Sequence, residues 1–171
     1  METDRLRWSV ADTISDTTLY QSMRMHFQED IPWKETELFI ELRKNLSKYG
    51  HAFHGCETEA QILERFDRLD GLYEQIARDG YKTQRELAQT TGQKQGWGFI
   101  DEFAHEILVD IGRDGELLFV DGRHRLCLAK ILELETIPVA FRVRHTAWMQ
   151  KRPALVKERV THPDLREHYR S

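Results

Sequence analysis

The stretch that decides the fold is Leu117–Leu126, which reads LLFVDGRHRL. Its first four residues form a short apolar run between polar segments, a pattern that predicts a strand. The run passes without a linker into Asp121–Arg125, after which apolar residues return at helical spacing and predict a helix over Gly122–Leu134. This part of the chain therefore predicts a strand that leads directly into the first turn of a helix.

The residues around this stretch predict a small sheet. Glu106–Ile111 and Leu117–Val120 contain apolar runs on either side of Gly112–Gly115, a spacing that is typical of a β-hairpin. A further strand is predicted over Ile137–Val143, after the helix.

Two helices are predicted before the sheet. The first ends near Tyr49-Gly50, and its apolar residues stand at helical spacing: Leu38, Phe39, Leu42 and Leu46. The second begins with a capping box made by Thr58 and Gln61, and Gly80 stands where a C-cap glycine belongs. Its apolar stripe consists of Ile62, Phe66, Leu69, Tyr73 and Ile76.

This order of elements predicts one α+β (mixed α/β) domain in which helices precede and follow a small sheet. We divide it into a helical N-terminal extension packed on the core (residues 1–68), a core (69–145) with an insertion loop at 82–102, and a C-terminal helical tail (146–171). The last helix is predicted from about Trp148 to Tyr169.

The composition is that of an ordinary globular protein. Of the 171 residues, 40% are apolar and 32% are charged, and the net charge of −4 with a pI of about 6.1 disfavours bulk electrostatic binding to nucleic acid. The charged segment Met1–Val10 lacks the apolar core of a signal peptide, and no apolar run is long enough to span a membrane. Two cysteines without a CxxC motif favour a reduced compartment, so the expected location is cytoplasmic.

The polar group Asp121–Arg125 has the chemistry of a phosphate site. A helix that begins there presents N–H groups and the positive end of its dipole to an anion. Gly122 allows a ligand to approach the backbone, while Arg123 and Arg125 can bind phosphate oxygens bidentately. His124 can donate a hydrogen bond or transfer a proton, and Asp121 can orient an arginine, hold Mg²⁺ through water or accept a hydroxyl proton. The alternative is that these basic residues simply pair with the acidic helices.

The same residues resemble the core of the ParB/sulfiredoxin superfamily. Leu118–Leu126, Ala129-Lys130 and Ile137–Val139 resemble its strand–loop–helix–strand pattern, (D/G)GxHR…A…lg…IPv. Leu69–Ile76 and Gly80-Tyr81 are similar to the helix and "GY" turn that precede the first strand of that superfamily. The resemblance covers about residues 69–143, interrupted by 82–102, and implies a nucleotide-binding fold.

Members of this superfamily have different activities, and the residues of the loop help to distinguish them. Sulfiredoxins place a catalytic cysteine immediately before the His-Arg pair, and Arg123 in that position contradicts sulfinic-acid reduction. Chromosome-partitioning ParB proteins bind CTP but carry a helix-turn-helix domain, for which no second domain fits here. The loop most resembles the DGHHR-like loop of the free-serine kinases. In those enzymes the loop binds phosphates, and an upstream glutamate lies beside the substrate hydroxyl.

The resemblance therefore implies a Mg²⁺-dependent, kinase-like phosphotransferase or NTP hydrolase that takes ATP, ADP or CTP and acts on a small hydroxyl-bearing substrate. In this hypothesis Gly122, Arg123, His124 and Arg125 bind phosphate, and Asp121 and His124 serve catalysis or position the metal. Glu35 and Glu37 are the first candidates for the upstream carboxylate, and Glu106 is the next. The alternative for Glu35 and Glu37 is a favourable charge in the first turn of a helix.

Other residues are weaker candidates for binding an anion, a metal ion or a substrate. Arg144 and His145 follow the last strand and are candidates for further anion contacts, or are a solvated strand end. His51, His54 and Cys56 have no firm partner for a metal site, and Trp97 either caps a substrate or anchors a loop.

Two other functions stay open from the sequence. One is a non-catalytic module that senses a nucleotide or binds a nucleic-acid backbone, for which a basic stripe through Arg123, Arg125, Arg142 and Arg144 would be needed. The other is a scaffold whose N-terminal helices bind another protein, which an exposed apolar patch on the first predicted helix would indicate.

Overall fold

The structure is a computed structural model that describes residues 4–6, 12–83, 86 and 106–165. The helices are α1 (Thr18–Glu29), α2 (Glu37–Tyr49), α3 (Glu59–Asp79), α4 (Arg123–Ile131) and α5 (Thr146–Lys157). The strands are β1 (Asp4–Leu6), β2 (Leu108–Ile111), β3 (Leu117–Asp121) and β4 (Ile137–Arg144). Short 3₁₀ helices cover Asp12–Asp16, Trp33–Glu35 and Phe53–Gly55. The predicted α+β fold is confirmed, and most of the predicted insertion 82–102 lies outside the described residues.

The sheet is mixed, with the strand order β1-β4-β2-β3. Strands β2 and β3 form the predicted antiparallel hairpin, and β2 pairs in parallel with β4 on its other side. The three-residue β1 pairs antiparallel with β4. Helix α4 therefore carries the chain from β3, at one edge of the sheet, past β2 to β4.

The chain divides into two compact units. The helical unit comprises Ala11–Gly80 and Cys127–Glu133, and the sheet unit comprises Met1–Val10, Tyr81–Leu126 and Leu134–Ser171. All of α3 and the second half of α4 belong to the same unit as the N-terminal helices.

An aromatic cluster forms the core of the helical unit. Buried Trp33 stacks on His26 and on Phe66, with ring centroids 4.2 and 4.3 Å apart. The indole Nε1–H of Trp33 donates to Asp70 Oδ1 at 2.8 Å, and His26 Nε2 lies 3.3 Å from the same oxygen. Phe27 and Tyr73 extend this α1–α3 contact as a stacked pair, with centroids 4.2 Å apart.

Threonine side chains begin all three helices of this unit. Thr17, Thr36 and Thr58 each accept a hydrogen bond from a first-turn N–H group, and Thr58 with Gln61 completes the predicted capping box. Helices α2 and α3 end at Gly50 and Gly80, as predicted. Helix α1 was not predicted from the sequence.

A buried carboxylate organises the sheet unit. The Asp164 side chain is 1% exposed, and its oxygens accept hydrogen bonds from Arg144 Nε at 2.7 Å and Trp148 Nε1 at 2.8 Å. Arg152 Nε lies 3.0 Å from the same carboxylate. Around it, Ile111, Trp148 and Leu165 form a buried apolar cluster.

The prediction of a helix from Trp148 to Tyr169 was wrong beyond Lys157. Helix α5 begins at Thr146 and ends at Lys157, and Arg159 then adopts a positive φ of 54°. The chain turns back so that Asp164 reaches Trp148, while His162 Nε2 donates to Gly115 O at 2.8 Å. Residues 166–171 of the predicted helical tail lie outside the described residues. Across the described part of the chain, no helix has both the length and the apolar character needed to cross a membrane.

We predict that Asp164→Asn lowers the free energy of unfolding by about 3 kcal/mol, because two arginines are left beside a neutral group. Urea denaturation of the variant and the wild type measures this difference. Asp114→Asn is the matched control, since Asp114 pairs with Lys151 on the surface of the same unit and its side chain is 73% exposed. The control should lose much less stability. Equal losses in the two variants would contradict the central position given to Asp164.

Candidate functional site

The predicted strand–loop–helix at Asp121–Arg125 is confirmed. Asp121 is the last residue of β3, Arg123 is the first residue of α4, and Gly122 alone joins them. The first helical hydrogen bond runs from Leu126 N–H to Gly122 O at 3.0 Å. The N–H group of Gly122 donates to Asp121 Oδ1 at 2.7 Å, so the aspartate side chain is tied to the turn.

Two constraints require glycine at position 122. Its φ of +91° lies in a region that other residues rarely adopt. A Cβ atom at this position would also lie 2.7 Å from Ile107 Cα and 2.8 Å from Glu106 O. Although the sequence suggested that Gly122 makes room for a ligand, the protein's own backbone fills the space beside it.

The basic residues of the turn differ in exposure. Arg123 is exposed, while His124 and Arg125 are half-buried. All three lie in the first turn of α4, where the helix leaves N–H groups unsatisfied by its own carbonyls and its dipole is positive. Asp121 is exposed at the end of β3. The turn thus presents one carboxylate and one guanidinium to solvent beside a helix N-terminus.

Beneath the turn, the structure brings together Tyr81, Glu106 and Arg125. Glu106 is 5% exposed and precedes Ile107, whose backbone touches Gly122. The Arg125 guanidinium carbon lies 5.7 Å from the centre of the Tyr81 ring. Burial raises the pKa of Tyr81 to about 12, the charge of Arg125 opposes this shift, and Glu106 adds to it. These three side chains therefore share one electrostatic environment.

The sequence indicated Tyr81 only as part of the "GY" turn, and Glu106 only as a candidate carboxylate after Glu35 and Glu37. Glu106 lies in the sheet unit, as the turn does. Glu35 and Glu37 lie in the helical unit, and both are exposed. Glu37 is the first residue of α2, directly after the N-cap Thr36, so its charge has the local helix-stabilising role considered above.

Arg144 and His145 both interact with other residues of the protein. The Arg144 guanidinium pairs with buried Asp164. His145 is the N-cap of α5, where its Nδ1 atom accepts a hydrogen bond from the N–H group of Ala147 at 3.0 Å. Both residues therefore have a structural role without an added anion.

The sequence offers two candidate places for metal binding, Asp121 and the segment with His51, His54 and Cys56. Within the described residues, no three His, Cys, Asp or Glu side chains come together as a metal site. Cys56 and Cys127 are buried and do not form a disulfide, and His51 is exposed. The His54 side chain lies outside the described part of the structure, as does Trp97. Mg²⁺ needs only one or two carboxylates when phosphate oxygens complete its shell, and exposed Asp121 fits that requirement.

We predict that Gly122→Ala lowers the free energy of unfolding by about 3 kcal/mol, the sum of the strain at positive φ and the overlap with the backbone of Ile107. Thermal or urea unfolding measures the change. The control is Gly71→Ala, because Gly71 lies inside α3 and a Cβ there meets nothing within 4 Å. That variant should gain about 0.5–1 kcal/mol from helix propensity. If Gly122→Ala is as stable as the wild type, the close approach of Gly122 to the backbone of Glu106 and Ile107 is contradicted.

Helix α3, the β2–β3 hairpin, α4 and β4 follow one another in the order predicted from the sequence pattern. Comparison with known proteins finds no family model, no curated protein and no solved structure that matches the chain. The assignment to the ParB/sulfiredoxin superfamily accordingly stays a prediction from the motif.

Proposed function

We propose that the chain binds a nucleotide through the β3–α4 turn and, with Mg²⁺, transfers the terminal phosphate to a small hydroxyl-bearing substrate or to water. The observation that carries the proposal is the turn itself. It places exposed Arg123 and Asp121 at the N-terminus of α4, with the backbone carbonyl of buried Glu106 against Gly122.

Phosphate binding is supported by three sources of positive potential. The exposed Arg123 guanidinium is able to rotate onto a ligand and to bind it bidentately. Arg125 adds its charge from a half-buried position against Tyr81. The N–H groups and the dipole of α4 act in the same direction.

The transfer chemistry needs a group that takes a proton. As the substrate oxygen forms its bond to the terminal phosphorus, the bond from that phosphorus to the bridging oxygen breaks, and the shortened nucleotide leaves with the bridging oxygen. The proton of the attacking hydroxyl passes to a carboxylate. We assign this role to Glu106, because its backbone carbonyl lies against Gly122 and its side chain shares the electrostatic surroundings of Tyr81 and Arg125 in the same unit.

Asp121 and His124 complete the proposed site. Asp121 would hold Mg²⁺ through water, and the ion, when bound, neutralises charge on the phosphate oxygens. His124, in the first turn of α4, would donate a hydrogen bond to the phosphate or to the leaving oxygen.

The alternative of a nucleic-acid-binding module is less well supported. It required a basic stripe that joins the turn to Arg142 and Arg144. Arg142 binds Asp110 through two hydrogen bonds of 3.1 and 2.6 Å, and Arg144 pairs with Asp164. Carboxylates therefore offset the charge at both positions.

Isothermal titration with ATP, ADP and CTP, with and without Mg²⁺, tests nucleotide binding. We expect Arg123→Ala to weaken the affinity at least tenfold, because a charge-assisted bidentate contact is lost. Arg68→Ala is the control, since Arg68 is an exposed arginine of α3 that pairs with Glu64. Glu106→Gln should retain binding within about twofold and lose at least a hundredfold in phosphate-transfer or hydrolysis rate. If no nucleotide binds, or Arg123→Ala behaves as the wild type, the proposal is wrong.

A further inference from the structure

One face of α2 forms a basic groove, independent of the turn at Gly122. Five of its residues follow helical spacing along this face: Ile40, Arg43, Lys44, Ser47 and Lys48. Lys34, from the 3₁₀ helix before α2, lines the same groove, whose volume is about 440 Å³. Buried Phe39 also lines it, and Ile40 is 43% exposed.

The groove carries an excess of positive charge in a chain whose net charge is −4. Glu59 lies 4.0 Å from Lys34 Nζ and 3.9 Å from Arg43 Nε, so a single carboxylate serves two cations at the limit of ion pairing. In the described part of the chain, Lys44 and Lys48 form no ion pair, although the Lys48 ammonium lies 4.8 Å from the centre of the Tyr49 ring. Four cations are thus offset there by one carboxylate.

The arrangement of these groups selects the kind of partner. From residue 40 to residue 48, α2 rises by about 12 Å, which is too long for one phosphate and is about two turns of a partner helix. Ile40 places an exposed apolar side chain among the cations, and a phosphate backbone has no group that would bury it. Carboxylates beside an apolar side chain would satisfy both features.

We propose that the basic groove of α2 binds an acidic amphipathic segment of another protein. Carboxylates of that segment pair with Arg43, Lys44 and Lys48, and one of its apolar side chains covers Ile40. This inference does not rest on the proposed nucleotide chemistry, because its residues all lie in the helical unit.

Fluorescence anisotropy with a labelled synthetic helix of Glu and Leu heptads tests the proposal on the full chain. The wild type should bind this peptide more tightly than its Glu→Gln counterpart, and the affinity should fall as NaCl rises from 50 to 200 mM. Lys44→Glu combined with Lys48→Glu should weaken binding at least tenfold.

The matched control combines Arg68→Glu with Arg78→Glu, which makes the same charge change at exposed positions of α3. It should alter the affinity by less than about twofold, since only charges outside the groove change. Ile40→Ser should weaken binding of the peptide but not of poly(U). The proposal is overturned if the peptide does not bind, if the two charge-reversal variants behave alike, or if poly(U) binds more tightly and Ile40→Ser has no effect on the peptide.

Discussion

The contact between Gly122 and the backbone of Glu106 and Ile107 is the constraint on which the candidate site depends. At this point β3 ends and α4 begins, and the space beside the glycine is too small for a methyl group. The contact fixes the first turn of α4 against the entry to β2. This contact therefore determines which side chains surround the turn. Arg123 lies on its exposed side, and Glu106 and Arg125 lie on its buried side.

This packing has an electrostatic consequence. A buried carboxylate is costly unless charge or hydrogen bonds offset its desolvation, and Glu106 shares its surroundings with Arg125 and Tyr81. The sheet unit uses the same principle at Asp164, where two arginines and an indole N–H surround a carboxylate that is 1% exposed. At Asp164 the carboxylate is enclosed and pairs with Arg144 and Arg152, so its role is structural. At the β3–α4 turn, Arg123 and Asp121 remain exposed, and this difference supports a ligand site.

Local patterns predicted the hairpin, α3 with its capping box, and the turn into α4, because each depends on residues that are near one another in sequence. Helix α1 escaped prediction, although Thr17 marks its start, because its buried face includes polar Ser22, which accepts a hydrogen bond from Leu38 N–H and interrupts the apolar stripe. The end of α5 escaped it because Asp164 is one aspartate in a polar tail, and its partners Trp148 and Arg144 lie 16 and 20 residues away. The place of Glu106 beside the turn likewise depends on tertiary contact between β2 and β3. The upstream glutamate that the resemblance implies led to Glu35 and Glu37 as the first candidates, ahead of Glu106.

The most direct test of the central claim, that the β3–α4 turn binds phosphate, is an NMR titration of ¹⁵N-labelled protein with ATP and Mg²⁺. The largest chemical-shift changes should fall on the backbone amides of Arg123, His124 and Arg125, because a phosphate at the N-terminus of α4 contacts these first-turn groups. Saturating shifts confined to other residues, such as the basic groove of α2, would contradict the claim. So would the absence of any shift at millimolar ATP.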